Sequence, residues 1–284
     1  MTKTLNNSDY KILDSGNLQK LEQVGPYILI RPALNAFWPR TLSDALWDKA
    51  DALYQRNSSG SGKWTWFNKL PSTWNIIYGG MKFIVKPTDF GHLGFFPEQK
   101  DNWDWLRSTI SNNKSIKTLN LFAYSGGSSL AMAEAGANVC HVDAAKGMVD
   151  WAKNNLDNNT HIKTGIRWIV DDVTKFMLKE IRRKSYYSGI VLDPPSFGRG
   201  PRGQLWKIEN DLISLLENCK NVLDKNPQFL LLTMHSHGFS ENSLSRILKS
   251  VFPNNNKIST GEMTVVEDNG NKITAGLYAR LIFK

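Results

Sequence analysis

A chain of 284 residues, 41% apolar and 21% charged, has ordinary globular composition and is long enough to bury a sizeable core as one large domain or a large and a small one. Lys and Arg number 35 against 26 Asp and Glu, a formal charge of +9 that favours a polyanionic partner such as nucleic acid. Two cysteines without metal-ligand spacing speak against a zinc site or a disulfide framework, and no run reaches the roughly 18 uninterrupted apolar residues of a membrane span, so a protein of the reducing cytosol is expected.

Met1 to Lys20 is polar and lacks the apolar core of a secretory leader. From about Tyr27 to Val85 short strands and turns follow one another. Tyr27 to Pro32 reads as a strand, Asn57-Ser58-Ser59-Gly60-Ser61-Gly62 as a loop, and Ile76 to Val85 as a hairpin turning on Gly79-Gly80. Leu42 to Tyr54 carries Leu42, Ala45, Leu46 and Leu53 at helical spacing, which predicts a helix. Residues 1–93 thus read as a small N-terminal α+β domain, and 94–284 as a second domain.

From Leu119 the texture changes to apolar strands alternating with amphipathic helices, the pattern of βαβ units on a mostly parallel sheet. Strands are expected at Thr118–Phe122, Asn138–Val142, Arg167–Val170, Gly189–Leu192 and Gln228–Thr233. Helices are expected at Ser128–Glu134, Ala145–Leu156, Val173–Lys184, Ile208–Val222 and Asn242–Val251. Lys257–Glu262 and Ile273–Phe283 read as two closing strands. The fold class is α/β, with a doubly wound, mostly parallel sheet.

Chemistry concentrates where these strands end, since ligands of open α/β sheets bind at the strands' carboxyl ends. After the first strand, Ala123-Tyr124-Ser125-Gly126-Gly127 leads into a helix. The glycines let backbone approach a ligand, and the helix start offers unpaired amides to a carboxylate or phosphate; an ordinary tight turn is the alternative. The second strand ends in Asp143, placed to take ribose hydroxyls or to cap the next helix. The third ends in Asp171-Asp172-Val173, suited to an adenine amino group or to a helix dipole. The fourth stops at Asp193-Pro194-Pro195, a rigid extended turn that sets Asp193 at the rim of a site. Arg182-Arg183-Lys184 reads as a solvated helix end, and Arg199-Gly200-Pro201-Arg202-Gly203 as a basic lid or a plain loop. Six tryptophans, Trp38, Trp64, Trp66, Trp74, Trp103 and Trp105, are candidates for stacking on bases or for filling cores.

In order and spacing these motifs resemble class I S-adenosylmethionine-dependent methyltransferases. Asn120-Leu121-Phe122-Ala123-Tyr124-Ser125-Gly126-Gly127, Val142-Asp143 and Asp193-Pro194-Pro195-Ser196-Phe197 are similar to the large-subunit ribosomal RNA methyltransferases that include 5-methylcytosine and 7-methylguanine enzymes. Asp14-Ser15-Gly16, Arg31-Pro32, Gly94-Phe95-Phe96-Pro97-Glu98-Gln99 and Gly276-Leu277-Tyr278-Ala279-Arg280 resemble a compact bacterial branch. The resemblance implies a Rossmann-like methyltransferase domain with S-adenosylmethionine as cofactor and RNA as substrate. It implies further that Phe122, Ala123, Tyr124, Ser125, Gly126 and Gly127 hold the methionine moiety, Asp143 the ribose, and Asp172 and Val173 the adenine. Asp193 then lies near the sulfonium, Pro194 and Pro195 shape the acceptor pocket, and Gln99 closes the cofactor site.

One departure from the family pattern bears on mechanism. The 5-methylcytosine members carry a nucleophilic Cys after the fifth strand, where this chain reads Thr233-Met234-His235-Ser236-His237-Gly238. Ser236 stands in the Cys position, and Cys140 and Cys219 fall within a strand and a helix, so cytosine C5 chemistry is disfavoured. A nitrogen acceptor needs only in-line placement. His235 and His237, spaced i, i+2 with no acid or thiol nearby in sequence, do not suggest a metal site. The alternatives are a methyltransferase acting on a protein or small molecule, a nucleotide-binding module without turnover, and a dinucleotide oxidoreductase.

Overall fold

The computed structural model describes residues 8–57, 62–111, 116–163, 165–199, 205–236, 238–253 and 256–284. Ser58 to Ser61, Gly200-Pro201-Arg202-Gly203 and His237, all singled out in the sequence, lie outside the described residues. The chain divides into two compact units, Met1–Lys100 with Thr264–Ala275, and Asp101–Met263 with Gly276–Lys284.

The first unit is built on a sheet ordered β1 (Tyr10–Gly16), β2 (Gln19–Val24), β3 (Tyr27–Pro32), β4 (Ala52–Arg56) and β5 (Gly62–Trp66), with a single helical turn, α1 (Asp44–Trp47), before β4. Strands β6 (Trp74–Tyr78) and β7 (Met81–Val85) form the expected hairpin. Gly79 and Gly80 turn it with φ of 56° and 81°, values that only glycine takes freely and that match the twist of the flanking strands. The helix expected over Leu42 to Tyr54 is corrected to α1 followed by β4. Asp14 gathers the amides of Thr41 and Leu42 and the Trp47 indole N–H, which starts a turn. Asp51 then accepts from the Ile28 amide at 2.8 Å and lays the next residues beside β3. Ala52 and Tyr54 are buried on either side of Leu53, the period of a strand, and β4 pairs parallel with β3.

Charge is buried here. Glu22 on β2 has no exposure and is held by Arg31 and Lys20, with the Tyr10 hydroxyl donating to it at 2.8 Å. Burial alone would raise the Glu22 carboxyl, but Arg31 and then Lys20 overcome it and hold the group at about 2. Residues 264–275 complete this unit from far along the chain: the Ser15 hydroxyl donates to Glu267, the Asp268 amide to Ile12 O at 2.9 Å, and Asn35 Nδ2 to Thr274 O at 2.8 Å.

The second unit opens with α2 (Lys100–Ser111) and continues β8 (Lys117–Leu121), α3 (Gly127–Glu134), β9 (Asn138–Asp143), α4 (Lys146–Asn158), β10 (Ile166–Val170), α5 (Val173–Arg183) and β11 (Gly189–Leu192). A small ribbon, β12 (Phe197–Arg199) and β13 (Leu205–Lys207), precedes α6 (Ile208–Asn221), β14 (Phe229–Met234), α7 (Glu241–Val251), β15 (Lys257–Val266) and β16 (Lys272–Ile282). The sheet runs β10-β9-β8-β11-β14-β16-β15, parallel from β10 to β14, with β16 antiparallel to β14. This is the doubly wound α/β sheet expected. Strands β11 and β14 are buried at every position, as strands covered on both faces must be.

The helices follow their caps. On α5, Val173, Phe176, Met177 and Glu180 face inward at helical spacing, Asp172 caps the start, and Lys184 ends it in the left-handed region at φ 53°. Arg182-Arg183-Lys184 is therefore a helix end, with Arg183 bonded to the buried Glu180 at 3.1 Å. Among the described residues no helix is long and apolar enough to cross a membrane.

Candidate active site

The chain winds from β8 out to β10 on one side and through β11 and β14 on the other, so the direction of winding reverses between β8 and β11. Adjacent loops part at such a point and leave a crevice beyond the carboxyl ends of the strands. The loop after β8 and the loop after β11 border it.

The first of these, Phe122 to Gly127, is held in an unusual backbone state. Phe122 and Tyr124 have φ of 55° and 49°, and Gly126 has 93°. Side-chain-bearing residues seldom enter this region, so two of them in one short loop mark a shape fixed by its surroundings. Those surroundings are specific. The Ala123 amide donates to Val142 O at 3.1 Å, the Tyr124 amide to the Asp143 carboxylate at 2.9 Å, and buried Asn155 Nδ2 to Ser125 O at 2.9 Å. A Cβ on Gly126 would lie 2.9 Å from Ala152 Cβ, and one on Gly127 would lie 2.6 Å from the Trp103 ring. Both glycines are required for the loop to close onto α3, α4 and Trp103. Behind it, Asn120 Nδ2 donates to Ser129 Oγ at 2.9 Å, and Ser129 meets buried His141 Nδ1 at 3.0 Å.

Asp143 ends β9 and binds backbone with both oxygens, one to Tyr124 and the other to the Ala145 amide at 2.9 Å. It is not the cap of α4, a place that Ala145 occupies. Burial raises its carboxyl above the ordinary range, against the pull of the Ala145 and Tyr124 amides. Asp171 follows β10, its amide on Asp143 O at 3.1 Å and its carboxylate on Lys179 at 2.5 Å. Asp172 caps α5 by accepting from the Lys175 amide at 3.0 Å, and Val173 is buried behind it. The four strand ends named in the sequence thus lie side by side in one unit. Gln99 is placed in the first unit, buried at the end of the 3-10 turn Pro97–Gln99.

After β11, the Asp193 amide reaches Leu121 O at 3.4 Å, Pro194 is buried and Pro195 is exposed. This turn is tied down by a residue that the sequence did not single out. Trp206 on β13 donates its indole N–H to Pro195 O at 2.6 Å and packs its ring against Phe122, centroids 5.2 Å apart. The only sequence signal was an aromatic eleven residues past Pro195, which has no local meaning until β12 and β13 pair.

The fold brings to His235 an acid that its own stretch of sequence lacks. His235 Nε2 lies 3.4 Å from Asp193 Oδ1, because β11 and β14 are neighbours and both residues follow their strand ends. Ser236 Oγ donates to Ser196 Oγ at 3.0 Å, linking the same two loops. Of the tryptophans, Trp64 and Trp103 are buried and serve cores, whereas Trp66 is 48% exposed.

A family profile described as S-adenosylmethionine-dependent methyltransferase matches residues 43–225. The chain is 29% identical over 182 residues to the protein named ribosomal RNA large subunit methyltransferase K/L of Alteromonas mediterranea, which covers 63% of this chain and 25% of that one. To the protein of the same name in Vibrio cholerae it is 27% identical over 171 residues, covering 60% and 23%. The chain therefore spans about a quarter of the length of these curated relatives. Among solved structures, that of an S-adenosylmethionine-dependent methyltransferase from Agrobacterium tumefaciens is similar with a TM-score of 0.92 and 35% identity, covering 98% of this chain and 92% of that one.

Proposed function

This chain belongs to the S-adenosylmethionine-dependent methyltransferase family, and on that premise we propose that it methylates a nucleotide of RNA, ribosomal RNA in the first instance, by direct displacement without a covalent enzyme adduct. The proteins it resembles in Alteromonas and Vibrio are named for ribosomal RNA, and the charge of +9 suits a polyanion. In this reading the first unit, Met1–Lys100 with Thr264–Ala275, is the accessory domain and the second the transferase domain, in the reducing cytosol.

The observation that carries direct displacement is the state of the two thiols. Cys140 lies within β9 and Cys219 within α6, 2% and 0% exposed, and burial pushes both up, Cys219 to about 12. A nucleophilic cysteine needs the reverse, an accessible thiolate. A nitrogen acceptor, whose lone pair is already available, fits a site without one.

The donor set suits a ligand with a carboxylate, a ribose diol and an aromatic base. The first-turn amides of α3 have no acceptor within the helix and favour the carboxylate. Asp143 retains a second lone pair on each oxygen for the ribose hydroxyls. Asp172 and Val173 meet the adenine, and the Phe122–Gly127 loop holds the methionine end. When bound, the cofactor supplies an electrophilic methyl group on sulfur. The chain's task is placement: Pro194 and Pro195 fix the loop, Asp193 accepts a hydrogen bond from the acceptor base and so orients its lone pair, and His235 sets the Asp193 carboxylate.

Incubation with labelled S-adenosylmethionine and RNA from a strain lacking the gene, followed by nucleoside mass spectrometry, tests this. Label in one methylated nucleoside is expected. Label in protein or metabolites with none in RNA overturns it.

A further inference from the structure

The first unit carries a cleft that the transfer chemistry does not use. Its volume is about 460 Å³, a size typical of small-ligand sites, and its floor is Trp66 at the end of β5. Leu70, Pro71 and Pro87 supply apolar walls, and Lys69 and Lys86 also line it, with no acidic residue in the lining.

The floor is rigid. Trp66 stacks on Trp64 with centroids 5.2 Å apart and planes 18° from parallel, and buried Trp64 is locked by its own indole bond to Thr88 O at 2.8 Å and by Tyr54 at 5.2 Å. One wall is fixed too. Phe67 and Asn68 donate their amides to Asp51 O at 2.9 and 3.1 Å, and Asn68 Nδ2 reaches Asp51 Oδ1 at 2.8 Å. Trp66 is 48% exposed yet already held in place, so it loses little order when something stacks on it.

We propose that this cleft binds one unstacked nucleotide of single-stranded RNA, with its base on the Trp66 face and its flanking phosphates on Lys69 and Lys86. The inference rests on the reading of RNA as substrate and adds to it a site that holds the strand apart from the reacting base. Aromatic platforms beside paired lysines grip single strands with little regard to sequence, because every base has a π face. Two cations and no anion favour a phosphodiester over a proline-rich peptide, the other ligand that aromatic and proline walls accept.

The test uses the full chain and a fluorescein-labelled oligouridylate of about ten nucleotides, read by anisotropy. Trp66→Ala weakens binding about tenfold, and Trp66→Phe restores most of it. Lys69→Ala with Lys86→Ala lowers the slope of log affinity against log salt by about 1.4, at about 0.7 per phosphate contact. Neither change alters S-adenosylmethionine binding by calorimetry. The proposal is overturned if the native chain does not bind the oligonucleotide, if both variants bind it like the native chain, or if decaproline displaces it. Failure here while RNA still acquires label removes the cleft alone. Oligonucleotide binding lost with Trp66→Ala, but no label in any RNA, removes the transfer reading and leaves the cleft as a binding site.

Discussion

Two backbone amides, of Tyr124 and Ala145, converge on the Asp143 carboxylate at 2.9 Å each, so a single side chain fixes the loop after β8 and the start of α4. In Asp143→Asn one oxygen becomes a donor facing another donor, and the loop loses a charge-assisted bond. Cofactor affinity is expected to fall about tenfold to a hundredfold by calorimetry, with the fold retained by circular dichroism. His141 answers to pH. Burial, and then Lys153, hold its imidazole down at about 3, and among the described residues Nε2 has no hydrogen-bond partner. The unfolded chain therefore binds one more proton than the folded one between pH 6.5 and about 3, and stability falls as pH drops through that window. The loss amounts to about 2 kcal/mol by about pH 5, and His141→Asn removes this part of the slope in urea titrations. Glu22 acts in the same direction lower down, its contribution fading from 4.5 to about 2 as its carboxylate is protonated.

At the level of elements, the short ribbon of β12 and β13 does for the loop after β11 what Asp143 does for the loop after β8. Trp206→Phe keeps a ring against Phe122 but deletes the indole bond to Pro195 O. On the proposed role of this loop, loosening it should lower kcat about tenfold to a hundredfold while the cofactor Kd moves less than about twofold, measured by single-turnover methylation and calorimetry. Strands β8 to β11 and helix α5 were legible in the sequence because period, caps and strand-end acids agree there. The segment after Leu42 misled, since its leucines keep helical spacing while Ala52 and Tyr54 answer to the neighbouring strands β3 and β5. Strands β1 and β2 escaped notice because their inward positions include Asp14, Ser15 and Glu22, polar residues that erase an apolar alternation and whose main partners, Thr41 and Leu42, Glu267 and Arg31, lie farther along the chain. The same holds at the site. The loops themselves could be read, whereas Trp206 depends on the pairing of β12 with β13, Asn155 on α4 reaching the loop after β8, and the approach of His235 to Asp193 on the pairing of β11 with β14.

Over the whole molecule, the proposed RNA substrate together with the surplus of nine positive charges predicts an affinity that depends on ionic strength. For about three neutralised phosphates on a single strand, raising salt from about 50 to about 200 mM should weaken binding about twentyfold. Filter binding across that range checks it, and a flat response would mean that charge plays no part in capture. The first unit, finally, is not contiguous: it needs Thr264–Ala275, where Glu267 and Asp268 meet Ser15 and Ile12. A ribosome releases the amino end long before that segment, and at about 5–20 residues per second the wait spans roughly ten to thirty seconds. During it the nascent piece has Ser15 and Ile12 ready and their counterparts unmade, a natural opening for a chaperone, and any fragment expressed without the tail inherits that gap permanently.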